Sequence, residues 1–129
     1  MSTPVKSSNF QTIRILVIDD SVLIQKALRS FLEELDIEVI TCNNGLEGIQ
    51  YAIETKPRLI FLDLLMPNLD GIKMLQVKQI LPEIKNIPVV IISANTNKQN
   101  VISAIELGAV KVISKPLQKE IIIKTLKEI

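Results

Sequence analysis

Apolar runs and helical periodicities alternate along this chain from about residue 13 to its end. Five short apolar runs, rich in β-branched residues, are typical of strands that are buried on both faces. These predicted strands span residues 13–19, 37–42, 58–63, 87–93 and 109–114. Between them apolar residues recur at helical spacing, which predicts helices up to about residue 35 and at 44–56, 71–81, 98–107 and 116–129.

This alternation predicts an α/β domain in which a parallel sheet carries helices on both faces. The chain of 129 residues is long enough for one domain with a substantial core. We expect the domain to cover residues 13–129 and residues 1–12 to form a short polar tail. In such sheets the functional site lies outside the carboxyl ends of the strands, where the strand order reverses.

Polar side chains end four of the five predicted strands. The first strand ends at Asp19 and Asp20, the third at Asp63, the fourth at Ser93 and the fifth at Lys115. A carboxylate at the end of a buried strand costs free energy unless it has a partner or a use. Because the carboxyl ends of parallel strands meet at one edge of a sheet, we expect these five side chains to lie close together.

The chemistry of this set favours phosphoryl transfer with a hard cation. Carboxylates a few ångströms apart repel by about 4 kcal/mol per pair at an effective dielectric near 20, so a proton or a cation must relieve them. Oxygen ligands alone suit Mg²⁺, with Mn²⁺ as an alternative. Lys115 and the Ser93 hydroxyl could bind the oxygens of a transferring phosphoryl group, with Asp63 as its acceptor. A plainer interpretation of Lys115 is an ion pair with Asp63.

Several residue types are absent or rare, and this excludes other functions. The chain has no histidine, which excludes Ser-His and Cys-His nucleophile pairs, histidine zinc sites and a histidine phosphodonor. A single cysteine, Cys42, can form no internal disulfide and favours a cytoplasmic location. A net charge of +1 and few aromatic residues argue against nucleic-acid binding. No apolar run reaches the roughly 18 residues of a membrane span.

Four motifs in order resemble the receiver domain of bacterial two-component response regulators: VIDDS, FLDLLMPNLDG, VVIISAN and GAVKVISKP. Each motif alone is weak, but each stands at the end of the appropriate strand, and the resemblance covers Ile13 to Leu126. It implies a flavodoxin-like (βα)5 three-layer sandwich with a five-stranded parallel sheet of order 2-1-3-4-5. It also implies a phosphorylation-activated signalling switch rather than an enzyme with an external substrate.

The resemblance implies a role for six residues by position. It implies a phosphoryl acceptor at Asp63, Mg²⁺ ligands at Asp19, Asp20, Asp63 and the backbone carbonyl of Leu65, a switch hydroxyl at Ser93 and a phosphoryl-binding lysine at Lys115. The implied donor is the phosphohistidine of a histidine kinase or of a histidine phosphotransfer protein.

Two positions beside the predicted site carry further expectations. The resemblance implies a cis peptide bond between Lys115 and Pro116, whereas cis bonds are only about 5–6% of X-Pro bonds in general. Asn95, two residues after Ser93, is either a turn former or a residue that lines the site and tunes the lifetime of the phosphoryl group.

One residue departs from the family pattern. Val112 stands where the family usually has a tyrosine or phenylalanine that rotates with the switch hydroxyl, so that part of the relay is in doubt. A receiver that no longer switches and serves as a scaffold is therefore an alternative. An aspartyl phosphohydrolase is less favoured, because Leu65 cannot be the acid–base group that such enzymes place two residues after the nucleophile.

The isoleucine triplet 121–123 predicts an exposed apolar surface. Three consecutive residues span about 200° of a helix, more than one buried stripe accommodates, so at least one should lie outside the core near Val112. We expect Ile122, Leu126 and Ile129 to be core residues. The surface of the fourth helix, fifth strand and fifth helix is then a predicted docking face for a twin subunit or a target protein.

Overall fold

The computed structural model describes residues 12–66, 70–94 and 98–129. Its strands are β1 (Arg14–Ile18), β2 (Glu38–Cys42), β3 (Leu59–Asp63), β4 (Val89–Ser93) and β5 (Lys111–Ser114). Its helices are α1 (Val22–Glu33), α2 (Gly45–Thr55), α3 (Gly71–Gln79), α4 (Lys98–Glu106) and α5 (Lys119–Glu128). The predicted polar tail falls almost wholly on residues outside this description. None of the described helices is long and apolar enough to cross a membrane.

The five strands form one parallel sheet in the order β2-β1-β3-β4-β5, which confirms the predicted fold class and strand order. The chain runs from β1 outward to β2 and then returns to place β3 on the other side of β1. The order therefore reverses between β1 and β3, and the carboxyl ends of these two strands are the expected place for a site.

Two hydrophobic clusters lie on opposite faces of the sheet and make the fold a three-layer sandwich. Alternate residues of β1 belong to different clusters, with Leu16 and Ile18 on one face and Ile15 and Val17 on the other. Helices α2, α3 and α4 cover the first face, and α1 and α5 cover the second. Because both faces are covered, every residue of β3 is buried, including the terminal Asp63.

The first three helices each begin at a side chain that caps the helix. In each case a side-chain oxygen of the capping residue accepts a hydrogen bond from the backbone N–H three residues later. The pairs are Ser21 with Ile24 at 3.4 Å, Asn44 with Glu47 at 3.0 Å, and Asp70 with Lys73 at 2.9 Å. Such caps satisfy N–H groups that would otherwise lack partners at the helix start. Gly108, which follows the carboxyl end of α4, has a φ of 101°, a backbone conformation that residues with a Cβ rarely adopt.

The closing helix confirms one expectation and corrects another. Ile122 is buried, Ile123 is half-buried and Ile121 is exposed, so at least one isoleucine of the triplet does lie outside the core. Ile129, predicted as core, is 44% exposed, because α5 ends one residue before it. The buried position one turn earlier belongs to Thr125, whose hydroxyl donates to the Ile121 carbonyl at 2.8 Å.

A lysine occupies the buried face of α3. Lys78 is only 7% exposed and lies on the same face of the helix as Met74 and Leu75. Its ammonium donates to the carbonyl of Lys85 at 2.9 Å and forms no ion pair with a described residue. Burial lowers the pKa of this lysine below its ordinary value of 10.5, because the charged form loses hydration.

We therefore expect Lys78→Met to stabilise the fold by about 1 kcal/mol at pH 7, as often happens when an apolar residue of similar size replaces a buried charge. At a pH below its lowered pKa, Lys78 is charged in both the folded and the unfolded protein. The folded protein then bears the free-energy cost of a buried charge. As the pH rises toward 10.5 the folded wild type sheds this charge first and gains stability, so the advantage of the variant should shrink.

Urea unfolding followed by circular dichroism at pH 7 and pH 10 measures this, with the exposed Lys73→Met of the same helix as the control. A loss of stability in Lys78→Met at pH 7 that the control does not share would contradict the prediction.

Candidate functional site

Three carboxylates converge at the point where the strand order reverses. Asp19 follows β1, Asp20 comes next, and Asp63 is the last residue of β3. One carboxylate oxygen from each lies within 4.8 Å of the other two. Asp19 is fully buried and Asp63 is 6% exposed, whereas Asp20 is exposed. The expected convergence of these carboxylates is therefore present, and one side of the cluster is open to solvent.

Lys115 approaches the same cluster from the end of β5. Its ammonium lies 2.9 Å from Oδ2 of Asp19 and 3.6 Å from Oδ2 of Asp63. Lys115 therefore pairs with both carboxylates, and Asp19 is the closer of the two. The Lys115 N–H donates to the Ser93 carbonyl at 2.9 Å, which ties the segment after β5 to the end of β4. The peptide bond between Lys115 and Pro116 is cis, as the resemblance implied.

Backbone N–H groups orient the two buried carboxylates. The N–H of Ser21 donates to Oδ1 of Asp19 at 2.8 Å, and the N–H of Leu65 donates to Oδ1 of Asp63 at 3.3 Å. The second oxygen of Asp19 has the Lys115 ammonium beside it but no aligned hydrogen bond from any described residue. In both carboxylates the other oxygen, Oδ2, is the one nearer the Lys115 ammonium.

Burial and the neighbouring carboxylates raise the pKa of Asp63 above its ordinary value. Burial is the main cause that raises the pKa of Asp63, and the negative charge of Asp19 raises it further, with a smaller contribution from Asp20. The Lys115 ammonium and the Leu65 N–H act in the opposite direction without cancelling the rise. The single lysine therefore does not neutralise the cluster, and a further cation would lower its energy.

The residues present fit a hard divalent cation. All donors in the cluster are oxygens, and the described part of the chain brings no nitrogen or sulfur ligand among them. A buried carboxylate oxygen without a hydrogen bond and an exposed carboxylate beside it leave ligand positions free on the open side. Oxygen ligands that leave room for water are the environment that Mg²⁺ prefers.

Ser93 and Leu65 lie at or just after the carboxyl ends of β4 and β3. Ser93 is the last residue of β4 and is buried, and the register pairs its neighbour Ile92 with Asp63. Leu65 is exposed two residues after β3, and its carbonyl accepts no hydrogen bond from the described residues. Asn95 lies outside the described residues, so neither interpretation of it is tested.

Gly71 supports the site in a way that the sequence argument missed. Its N–H donates to the Leu64 carbonyl at 3.1 Å, and a Cβ at this position would lie 2.6 Å from the Asp63 carbonyl oxygen. Only glycine lets the start of α3 approach the end of β3 this closely. The Asp70-Gly71 pair at the start of the helix that follows a buried strand is the signal that could have revealed it.

The comparison with known families now identifies the class of protein. Residues 15–127 match the response regulator receiver domain, and the chain belongs to this family. Receiver domains are the phosphorylation-dependent switches of two-component signalling and take their phosphoryl groups from histidine kinases.

Individual relatives are consistent with this family. The chain is 41% identical over 106 residues to a protein-glutamate methylesterase/protein-glutamine glutaminase of Geobacter sulfurreducens, covering 81% of this chain but only 28% of that protein. It is 30% identical over 117 residues to the chemotaxis protein CheY of Listeria monocytogenes, covering 90% of this chain and 97% of that protein. The response regulator domain of Thermotoga maritima CheB superposes with a TM-score of 0.75 at 30% identity, covering 92% of this chain and 93% of that domain.

The crowding of the carboxylates predicts that Asp63→Asn stabilises the metal-free protein. At neutral pH we expect a gain of about 2 kcal/mol, less than the full repulsion of a carboxylate pair because Lys115 offsets part of it. Below the ordinary value of 3.8, Asp63 is protonated in both states and its charge costs the fold nothing. As the pH rises through the raised folded pKa the wild type loses stability, so the advantage of the variant should grow.

Urea unfolding at pH 4 and pH 7 with a chelator present measures this difference. A variant that is less stable than the wild type at pH 7 without metal would contradict the crowded-cluster account.

Proposed function

We propose that this chain is a signalling switch in which Asp63 accepts a phosphoryl group from phosphohistidine on a histidine kinase or a histidine phosphotransfer protein. The observation that carries the proposal is the meeting of Asp63 with Asp19, Asp20 and Lys115 at the strand-order reversal. The family membership of the chain supports the same reaction.

The residues divide the work of the transfer. A carboxylate oxygen of Asp63 attacks phosphorus, the bond from phosphorus to the donor imidazole nitrogen breaks, and the new bond to Asp63 forms. The Lys115 ammonium and the Ser93 hydroxyl bind oxygens of the transferred group. Asp19, Asp20, Asp63 and the Leu65 carbonyl would hold Mg²⁺, or Mn²⁺ as an alternative, which supplies positive charge beside the phosphoryl oxygens.

We extend the proposal to the organisation and setting of the chain. Residues 13–129 are the receiver domain, residues 1–12 are a polar tail, and the setting is cytoplasmic. The chain spans less than a third of the Geobacter methylesterase, and that activity is a property of the relative. For the residues of this domain we propose phosphorylation and dephosphorylation of Asp63 and no reaction on an external substrate.

Val112 bears on how the switch is read out. It is half-buried in β5 and packs against the cluster under α2, α3 and α4, and it carries no ring that could swing outward. We propose that the signal instead leaves through the segment after Ser93. The alternative is a scaffold that takes up no phosphoryl group, and the phosphorylation experiment below distinguishes the two.

Incubation with acetyl phosphate and Mg²⁺ should add the mass of one phosphoryl group to the intact chain, because Asp63 ends β3 beside Lys115, Asp19 and Asp20. The adduct should be absent with a chelator and in Asp63→Asn. Asp36→Asn, at an exposed aspartate outside the site, is the matched control and should be phosphorylated like the wild type.

A folded wild type that gains no mass would favour the scaffold. A full adduct on folded Asp63→Asn would place the acceptor elsewhere.

The finer part of the proposal concerns an output face around the edge strand β5. Ile102 and Ile105 of α4, Val110 before β5 and Ile121 of α5 are exposed apolar side chains at this edge. Ile121 also lines a surface cleft of about 320 Å³ together with Lys115 and Pro116, which joins the face to the phosphorylation site. We propose that this face binds a second copy of the chain or a target protein.

Ile121→Lys should weaken self-association or target binding by at least tenfold while Asp63 phosphorylation stays normal, because it places a charge in an apolar contact. Sedimentation with and without phosphodonor measures association. Ile80→Lys is the control, since Ile80 is also an exposed isoleucine, at 76% against 38% for Ile121, but lies at the C-cap of α3. If Ile121→Lys associates like the wild type and retains the partner, the output face lies elsewhere.

A further inference from the structure

The side chain of Gln25 connects three segments behind the metal cluster. Its Nε2 donates to the carbonyl oxygen of Asp19 at 2.6 Å and to Oδ1 of Asn43 at 2.8 Å. The carbonyl oxygen of Cys42 lies 3.4 Å from the same nitrogen. An amide nitrogen has two protons, so the two short contacts use them and the third is weaker. Gln25 thereby joins α1 to the ends of β1 and β2.

The surroundings of this amide fix its orientation. Three oxygen acceptors surround the nitrogen, and a flipped amide would bring its own oxygen against all three. Asn43, which accepts from the Gln25 amide, is itself held in place, because its backbone N–H donates to Oε1 of Glu47 on α2 at 3.0 Å. Gln25 is therefore a fixed link between two helices rather than a loose surface side chain.

The link acts on the peptide bond between Asp19 and Asp20. The N–H of Asp19 donates to the Cys42 carbonyl at 3.1 Å, which is the last contact of the β1–β2 ladder. Beyond that point the Gln25 amide is the only described donor to the Asp19 carbonyl. Without it, no described donor would hold the carbonyl of the peptide between the two aspartates.

Asp20 depends on this peptide more than Asp19 does. The Asp19 carboxylate is held separately, by the N–H of Ser21 at 2.8 Å and by the Lys115 ammonium at 2.9 Å. The Asp20 carboxylate is exposed and has no hydrogen bond or ion pair with a described residue. Its place in the cluster therefore follows from the backbone that Gln25 holds.

We propose that Gln25 is a positioning residue for the divalent cation, which keeps the Asp20 carboxylate in place by holding the carbonyl of Asp19. The inference rests on the proposed function, because it presumes that the cluster binds Mg²⁺. Partners of this kind, one step removed from the metal, typically change metal affinity by about 10- to 100-fold when removed.

The direct test is Gln25→Met, which keeps the length of the side chain and removes its donors. We expect the Kd for Mg²⁺, measured by isothermal titration calorimetry, to rise about tenfold. Gln76→Met is the matched control, since Gln76 is exposed on α3 and away from the site, and its Kd should equal that of the wild type. Asp63 should still be phosphorylated at saturating Mg²⁺, because Gln25 touches neither Asp63 nor Lys115.

A second variant covers the case in which Gln25→Met does not fold. Asn43→Ala removes one acceptor of the Gln25 amide from an exposed position, so the fold should persist and the Kd should rise in the same direction by a smaller factor. In the double variant the two effects should not add, because both substitutions break one link.

The outcomes separate this inference from the function on which it rests. A purely structural role for Gln25 would lower the stability of the metal-free protein and leave the Kd for Mg²⁺ within about twofold of the wild type, and that result would overturn the inference alone. A wild type that binds no Mg²⁺ would overturn both.

Discussion

The repulsion among three neighbouring carboxylates is the constraint on which the rest of this structure depends. Two of them, Asp19 and Asp63, lie at the ends of buried strands where water cannot screen them, and Asp20 adds a third charge from the open side. One described lysine faces this cluster, and burial together with the neighbouring carboxylates still holds the pKa of Asp63 above its ordinary value. A site in this condition lowers its energy when it takes up a divalent cation, and in the proposed function the same cation would serve phosphoryl transfer.

The fold holds these charges together because burial of its hydrophobic core offsets the free-energy cost of their repulsion. Both faces of the sheet are covered, and the strands that carry the carboxylates are apolar up to the last residue. The ends of β1 and β3 are then fixed by short-range contacts, with Gln25 bonded to the Asp19 carbonyl and Gly71 packed against the backbone of Asp63. Hydrophobic burial thus supplies the stability, and a few polar contacts set the geometry.

Periodicity in the sequence predicted a parallel sheet with helices on both faces and the edge that holds the site, whereas the strand order came from the family resemblance. Alternating strands and helices imply a parallel sheet, and polar residues at strand ends must then meet at one edge. The closer approach of Lys115 to Asp19 and the contacts of Gln25 depend instead on side-chain directions that no spacing encodes. The burial of Thr125 in place of Ile129 was missed for a similar reason, since a hydroxyl bonded to its own helix behaves as a small core residue.

The most direct test of the account is the free energy of unfolding of the wild type and of Asp63→Asn, measured at pH 7 across a range of Mg²⁺ concentrations. If a cation relieves the repulsion in the cluster, the wild type should be the less stable protein without Mg²⁺. It should then gain more stability than the variant as Mg²⁺ is added, because binding to the folded state stabilises that state. The account predicts that the difference between the two proteins closes or reverses at millimolar Mg²⁺. Two curves that stay parallel, or a wild type that Mg²⁺ does not stabilise, would contradict it.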